Sequence, residues 1–169
     1  MSTTSLRDQL QPKIDANRSR LDDLLSQLLT QPAYTWQNVK DHKVLSLAQK
    51  RYGVYHFLHM DQEEGITSIY VGESHTLSRD ADLAIRARAH FLSGHPGMGN
   101  LPGNLVRAGH QNNHAAAADF VKEHYHLQYL VLSTPVEALE LEHHAIAALL
   151  PRYNFIIGSQ AQLPATRVL

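Results

Sequence analysis

The chain reads as an α+β domain in which a small mixed β-sheet is flanked by helices and preceded by an N-terminal helical extension. Three features carry this reading: two β-rich runs joined by a polar turn, a later buried apolar run between helical segments, and an amphipathic stretch ahead of them all. The amphipathic stretch comes first. From residue 6 to residue 29 apolar side chains recur at Leu10, Ile14, Leu21, Leu24 and Leu28, with Asn17 in the remaining slot of a four-three alternation. Proline is best tolerated in a first turn, so this helix is expected to begin at Pro12 rather than at Leu6. Gln31-Pro32 stops it, and residues 33–50 mix a lone Trp36 with the apolar cluster Val44, Leu45 and Leu47. Residues 1–51 thus form an accessory helical region, whose apolar stripe packs on the main domain or pairs with a second copy of itself.

Residues 52–60 (YGVYHFLHM) are rich in aromatic and β-branched types and lead into the polar segment Asp61-Gln62-Glu63-Glu64-Gly65; residues 66–72 (ITSIYVG) are β-like again. Strand, turn and strand predict an antiparallel hairpin. Residues 82–92 hold Leu83, Ile85 and several alanines without proline or glycine, a helix that Gly94-His95-Pro96-Gly97 ends. A short helix over 101–108 closes at Gly109, and a further one covers 115–123. Residues 127–132 (LQYLVL) read as a buried strand, Thr134-Pro135 opens a helix that stops at Pro151, and residues 153–157 (YNFII) close the domain with a β-like run. Residues 52–169 are read as one domain.

Composition narrows the class. Of 169 residues 43% are hydrophobic and 18% charged, an ordinary globular balance. The absence of cysteine excludes disulfides and thiolate metal sites and suits a reducing compartment. With no apolar run long enough to span a bilayer and no signal-peptide layout in residues 1–10, a cytoplasmic protein without membrane partners is the expectation. Net charge is −1, low for a protein that binds a polyanion. The distribution is uneven, however: Arg79, Arg86, Arg88 and Arg107 face only Asp80 and Asp82 between residues 76 and 117, with His90, His95, His110 and His114 in the same stretch.

Four pieces follow one another on these elements: Gly53-Val54-Tyr55, Tyr70-Val71-Gly72, Leu83-x-x-Arg86-x-x-x-His90, and Glu142 with Pro151 and Asn154 behind it. A Gly-x-Tyr on a strand is mostly sheet, and an arginine on a helix is usually a solvated charge. In this order, however, the set resembles the GIY-YIG nuclease superfamily, named for two tripeptides on adjacent strands. The closest local match is LELEHHAIAALLPRYNFII over residues 139–157, which is similar to a segment of the excision-repair nuclease subunit in which a glutamate lies twelve residues before an asparagine. The resemblance covers roughly residues 52–157.

Phosphodiester hydrolysis needs an activated water, neutralisation of charge on the phosphoryl oxygens and help for the leaving oxygen. Glu142 is the candidate ligand for a hard divalent ion, Mg2+ or Mn2+. Arg86 offers a planar donor fork that matches phosphate oxygens. Tyr55 and Tyr70 carry hydroxyls that can orient or deprotonate water if a cation lowers their pKa. The resemblance implies that one of them is the general base; the sequence leaves open which, with Tyr55 preferred. His90, one turn after Arg86, is a second phosphate ligand or a relay to a tyrosine. Gly53 and Gly72 allow close backbone approach, His95 is a further participant by family resemblance, and Asn154 would pin the active-site backbone or the glutamate. Glu73 departs from the pattern, since the excision-repair nucleases have lysine there. Arg79 competes with Arg86, which is preferred because His90 accompanies it.

The implied activity is that of a metal-dependent endonuclease on DNA leaving 5′-phosphate and 3′-hydroxyl ends, of a stand-alone restriction, defence or toxin type. A homodimer would let two single sites cut both strands. The alternatives are an RNA nuclease and a catalytically inactive nucleic-acid-binding or protein-interaction module. His110 and His114, spaced four apart, suggest zinc, but no zincin glutamate follows, and two solvated histidines at a helix start account for them better.

Overall fold

The structure, a computed structural model, describes residues 5–41, 43–77, 82–92 and 101–154. Three strands form its sheet. β1 (Tyr52–Asp61) and β2 (Gly65–Ser74) make the expected hairpin, and β3 (Tyr125–Leu132) lies on the other side of β1, giving the order β2-β1-β3. Every pairing is antiparallel, so among the described residues the sheet is not mixed. The expected closing run over 153–157 is not a strand where it is described: Tyr153 and Asn154 follow a turn, and residues 155–157 lie outside the described residues.

Period-two alternation sorts the side chains. Tyr55, Phe57, Tyr70, Leu127 and Tyr129 project to one face, where they meet Leu83, Ala87, Phe91, Leu101, Leu105 and Val121. These come from α3 (Leu83–Ala89) with the turn after it, α4 (Leu101–Arg107) and α5 (His114–His124). Val54, Val71 and Leu132 project to the other face and pack on Leu25 and Leu28 of α1 (Leu6–Leu29) and on Ala138, Leu141 and Ala145 of α6 (Pro135–Leu149). Three layers result, with β2 as an edge strand. A bulge between Phe57 and Leu58 passes Ile69 unpaired, which brings Tyr70 opposite Phe57 and Gly72 opposite Tyr55.

Local chemistry explains most boundaries. α1 begins at Leu6, not Pro12, because Ser5 and Asp8 form a capping box that anchors the start upstream; Pro12 lies inside the helix. Asp82 caps α3 and also accepts the Lys50 N–H, tying the N-terminal region to that helix. Thr134 and Glu137 form a second capping box at α6. α6 is capped by Leu150, whose left-handed backbone (φ 46°, ψ 58°) reverses the chain before Pro151. The reversal returns the Arg152 and Tyr153 N–H groups to the Ser68 and Ile69 carbonyls of β2.

Residues 33–50, unassigned by pattern, contain the six-residue α2 (Trp36–Asp41) and a 3-10 turn at Ser46–Ala48; Val39, Leu45 and Ala48 reach the same core as Tyr55. Gln128, buried on β3, donates to the Leu29 and Gln31 carbonyls and so fastens the end of α1. The first half of α1 stands away, leaving Leu6, Leu10 and Ile14 exposed. Among the described residues no helix is long and apolar enough to cross a membrane.

Leu28, fully buried between α1 and the sheet, should be the anchor of the N-terminal helix. Leu28→Ala is expected to cost about 2–5 kcal/mol in urea unfolding while leaving a single transition, because α1 shares its core with β1 and β2.

Candidate functional site

The two Gly-Tyr tripeptides lock into each other. Gly72 pairs with Tyr55 across the hairpin, and the Tyr55 ring lies over it so closely that a Cβ at Gly72 would overlap the phenol. A Cβ at Gly53 would strike the Leu130 carbonyl and come 2.6 Å from Leu83 Cδ2, so that glycine admits both β3 and α3. The Tyr55 and Tyr70 rings stack at 6.4 Å, and His90 sits 5.0 Å from each.

His90 is buried, with 3% of its surface exposed. Its Nδ1 accepts the Leu101 N–H at the start of α4 at 2.9 Å. A neutral ring with Nδ1 as acceptor carries its proton on Nε2, and that N–H donates to the Tyr55 hydroxyl at 2.9 Å. Burial, helped by the Arg86 charge, pushes the His90 pKa down to about 3, so this tautomer persists through the working pH range. Of the two roles read from the sequence, burial disfavours phosphate ligation and the geometry is that of a partner to tyrosine.

Arg86 is half-buried on α3 and forms no ion pair among the described residues, while Arg88 on the same helix is exposed. Glu142 is half-buried on α6, beside Leu141 and Ala145, at the margin of the apolar stripe. The phenols and the carboxyl start on opposite sides of the sheet. β2, which carries Tyr70 and against which α6 packs, has no strand beyond its outer edge among the described residues.

Their charges act on one another. Desolvation first, then Glu73, raises the Glu142 carboxyl to about 7, while Arg86 and His75 pull it down. Burial raises Tyr70 to about 12, with Glu142 the largest charge adding to it and Arg86 opposing. Tyr55 is raised well above its ordinary value by burial first and then by Tyr70, again against Arg86. Both phenols are therefore protonated near neutrality. Burial and two nearby acids outweigh one guanidinium.

Asn154 grips the Val71 backbone from both sides: its Oδ1 accepts the Val71 N–H at 2.7 Å and its Nδ2 donates to the Val71 carbonyl at 2.6 Å. This holds the strand between Tyr70 and Gly72. His95 and Arg79 lie outside the described residues. His110 packs its ring against Tyr153 at 5.6 Å, and no group of three or more His, Cys, Asp or Glu side chains suited to a metal occurs among the described residues.

Sequence reasoning treated Glu73 as a gap in the pattern. The structure instead buries it, at 8% exposure, with Oε1 accepting the His75 Nδ1–H at 2.8 Å. Its position directly after the second tripeptide was the only available signal. No protein-family model matches this chain, and no curated protein matches it either.

The raised Glu142 pKa has a consequence for stability. Between the ordinary carboxylate range and about pH 7 the folded, metal-free chain keeps a proton that the unfolded chain has released. Stability present at low pH is therefore lost as pH rises through 7. In EDTA, Glu142→Gln should remove a loss on the order of 1–2 kcal/mol between pH 5 and pH 8, read as the difference between the wild-type and variant urea-unfolding curves.

Proposed function

We propose that the chain is a metal-dependent endonuclease of the GIY-YIG type, hydrolysing DNA phosphodiester bonds. One observation carries the reading: two phenols, a guanidinium without an ion-pair partner among the described residues, and a late half-buried carboxyl are mutual electrostatic neighbours around one strand. The order of elements from β1 onward, hairpin first and the helix of Glu142 last, supports the same fold assignment. So does the asparagine twelve residues beyond the glutamate, which holds the second tripeptide's backbone.

The donor set fits a hard divalent ion. Glu142 offers oxygen, a second buried carboxylate oxygen on Glu73 has no hydrogen-bond partner, and the net negative charge around them favours a cation. Bound there, Mg2+ or Mn2+ would neutralise charge on the phosphoryl oxygens. Arg86 binds the same phosphate from the α3 side with its planar fork. Tyr55 is the preferred base, because the His90 N–H already donates to its oxygen and would stabilise a phenolate there. Cancelling the Glu142 and Glu73 charges removes two of the influences that keep that phenol protonated.

A non-catalytic nucleic-acid-binding or protein-interaction module on the same fold is the second reading. It is favoured by Glu73, which puts negative charge where the resembling repair nucleases carry lysine, and by the net charge of −1. Plasmid nicking with Mg2+ separates the two. Wild type should nick, while Glu142→Ala, Arg86→Ala and Tyr55→Phe should each lose about a hundredfold or more in rate with folding intact by circular dichroism. Binding without cutting by wild type would favour the module, and preferential cutting of labelled RNA in competition would redirect the substrate to RNA.

Cutting both strands with single sites asks for a homodimer, and Leu6, Leu10 and Ile14 on the projecting half of α1 are the surface proposed for it. Light scattering should return the mass of two chains, and Leu10→Glu with Ile14→Glu should return one; a wild-type monomer at working concentration overturns this pairing.

A further inference from the structure

Glu73 occupies a position that few carboxylates hold. It sits on edge strand β2, opposite Val54 and two residues beyond Val71, and both valines pack against the α6 side of the molecule. Its side chain therefore leaves the sheet on the face that α6, and with it Glu142, covers. At 8% exposure it has given up most of its hydration.

One oxygen is accounted for. His75 Nδ1 donates to Oε1 at 2.8 Å, but Oε2 is buried with no hydrogen-bond partner. A buried carboxylate oxygen left so is costly, so a partner is expected. It has three chemical routes to one: a cationic side chain, a proton or a metal ion. Arg86 pairs with no carboxylate among the described residues, and His75 is committed to the other oxygen. A second carboxyl is close enough that Glu73 is the leading charge acting on Glu142. Two carboxylates whose charges act on each other repel unless a proton or a cation is held there, and of these only a cation leaves both of them ionised. Two such oxygens, with waters and a substrate phosphate completing the shell, are an ordinary ligand set for Mg2+ or Mn2+.

We propose that Glu73 is the second carboxylate ligand of the divalent ion, bridging it with Glu142 through the unpartnered Oε2, while His75 orients the carboxylate through Oε1. This rests on the nuclease reading for the identity of the ion, and it reverses the apparent defect of the sequence: the position that lacks a lysine supplies a ligand. His75 then serves as a positioning residue, doing what partners of ligating carboxylates commonly do.

The test is Mn2+ binding to the full chain, stripped with EDTA and followed by the electron paramagnetic resonance of free Mn2+, with plasmid nicking measured in parallel. A single ion per chain is expected, with Glu73→Gln and Glu142→Gln each weakening it about tenfold or more and His75→Ala less. Unchanged or tighter binding by Glu73→Gln, where Glu142→Gln loses it, overturns the proposal and leaves the nuclease reading standing. No Mn2+ binding by wild type with metal-dependent nicking retained overturns it as well. Binding that needs both carboxylates in a chain that never nicks supports the ion site and removes the nuclease. Should Glu73→Gln not fold, Mn2+-soaked crystals of the unaltered chain decide: anomalous density about 2.1 Å from both Glu73 Oε2 and a Glu142 oxygen supports the bridge, and density on Glu142 alone overturns it.

Discussion

The close approach of the Tyr55 ring to the backbone of Gly72 is the contact on which the rest of the arrangement depends. It requires three conditions at once: a hairpin register that sets those residues opposite, a bulge at Ile69 that brings Tyr70 into the same file, and the absence of a side chain at 72. With these met, two phenols stack along one face of the strand pair, and a single imidazole reaches both rings. A β-carbon at residue 72 would overlap the Tyr55 hydroxyl oxygen, so the ring that bonds His90 would have to shift.

Around that contact the molecule sets burial against charge. Most of the polar groups at the site are largely buried, and each is held by a specific partner: His90 by the Leu101 N–H and Tyr55, Asn154 by the Val71 peptide, Glu73 by His75 on one side only. Groups held in this way are fixed in orientation, as a network in a low-dielectric interior must be. The exceptions are the Glu73 oxygen without a partner and the Glu142 carboxyl, whose pKa the Glu73 charge raises. Strain of this kind concentrates at functional sites because a ligand can relieve it.

The N-terminal region is bound into the same body. Leu25 and Leu28 share a core with Val54 and Val71, Val39 and Leu45 share one with Tyr55, and Asp82 joins Lys50 to α3. Helices on both faces of the sheet immobilise β1 and β2, which is what a site built from side chains on two strands and two helices requires.

Much of this was legible in the linear order of residues, for a local reason. The hairpin, the Thr134 cap, the stop at Pro151 and the late buried strand follow from periodicity and turn chemistry acting over a few neighbouring residues. The start of α1 was misjudged because proline propensity yields to the Ser5–Asp8 capping box, and the sheet proved antiparallel because strand direction is a matter of long-range pairing. Tyr55, Tyr70, Arg86, His90 and Glu142 stood out as residue types in a recognisable order. Only the fold decided that His90 turns its N–H to Tyr55, that Asn154 clamps Val71, and that Glu73 lies buried on the side of the sheet that α6 covers. Those relations join residues tens of positions apart, and their energies come from burial and mutual charge, which do not exist until the chain has closed around them.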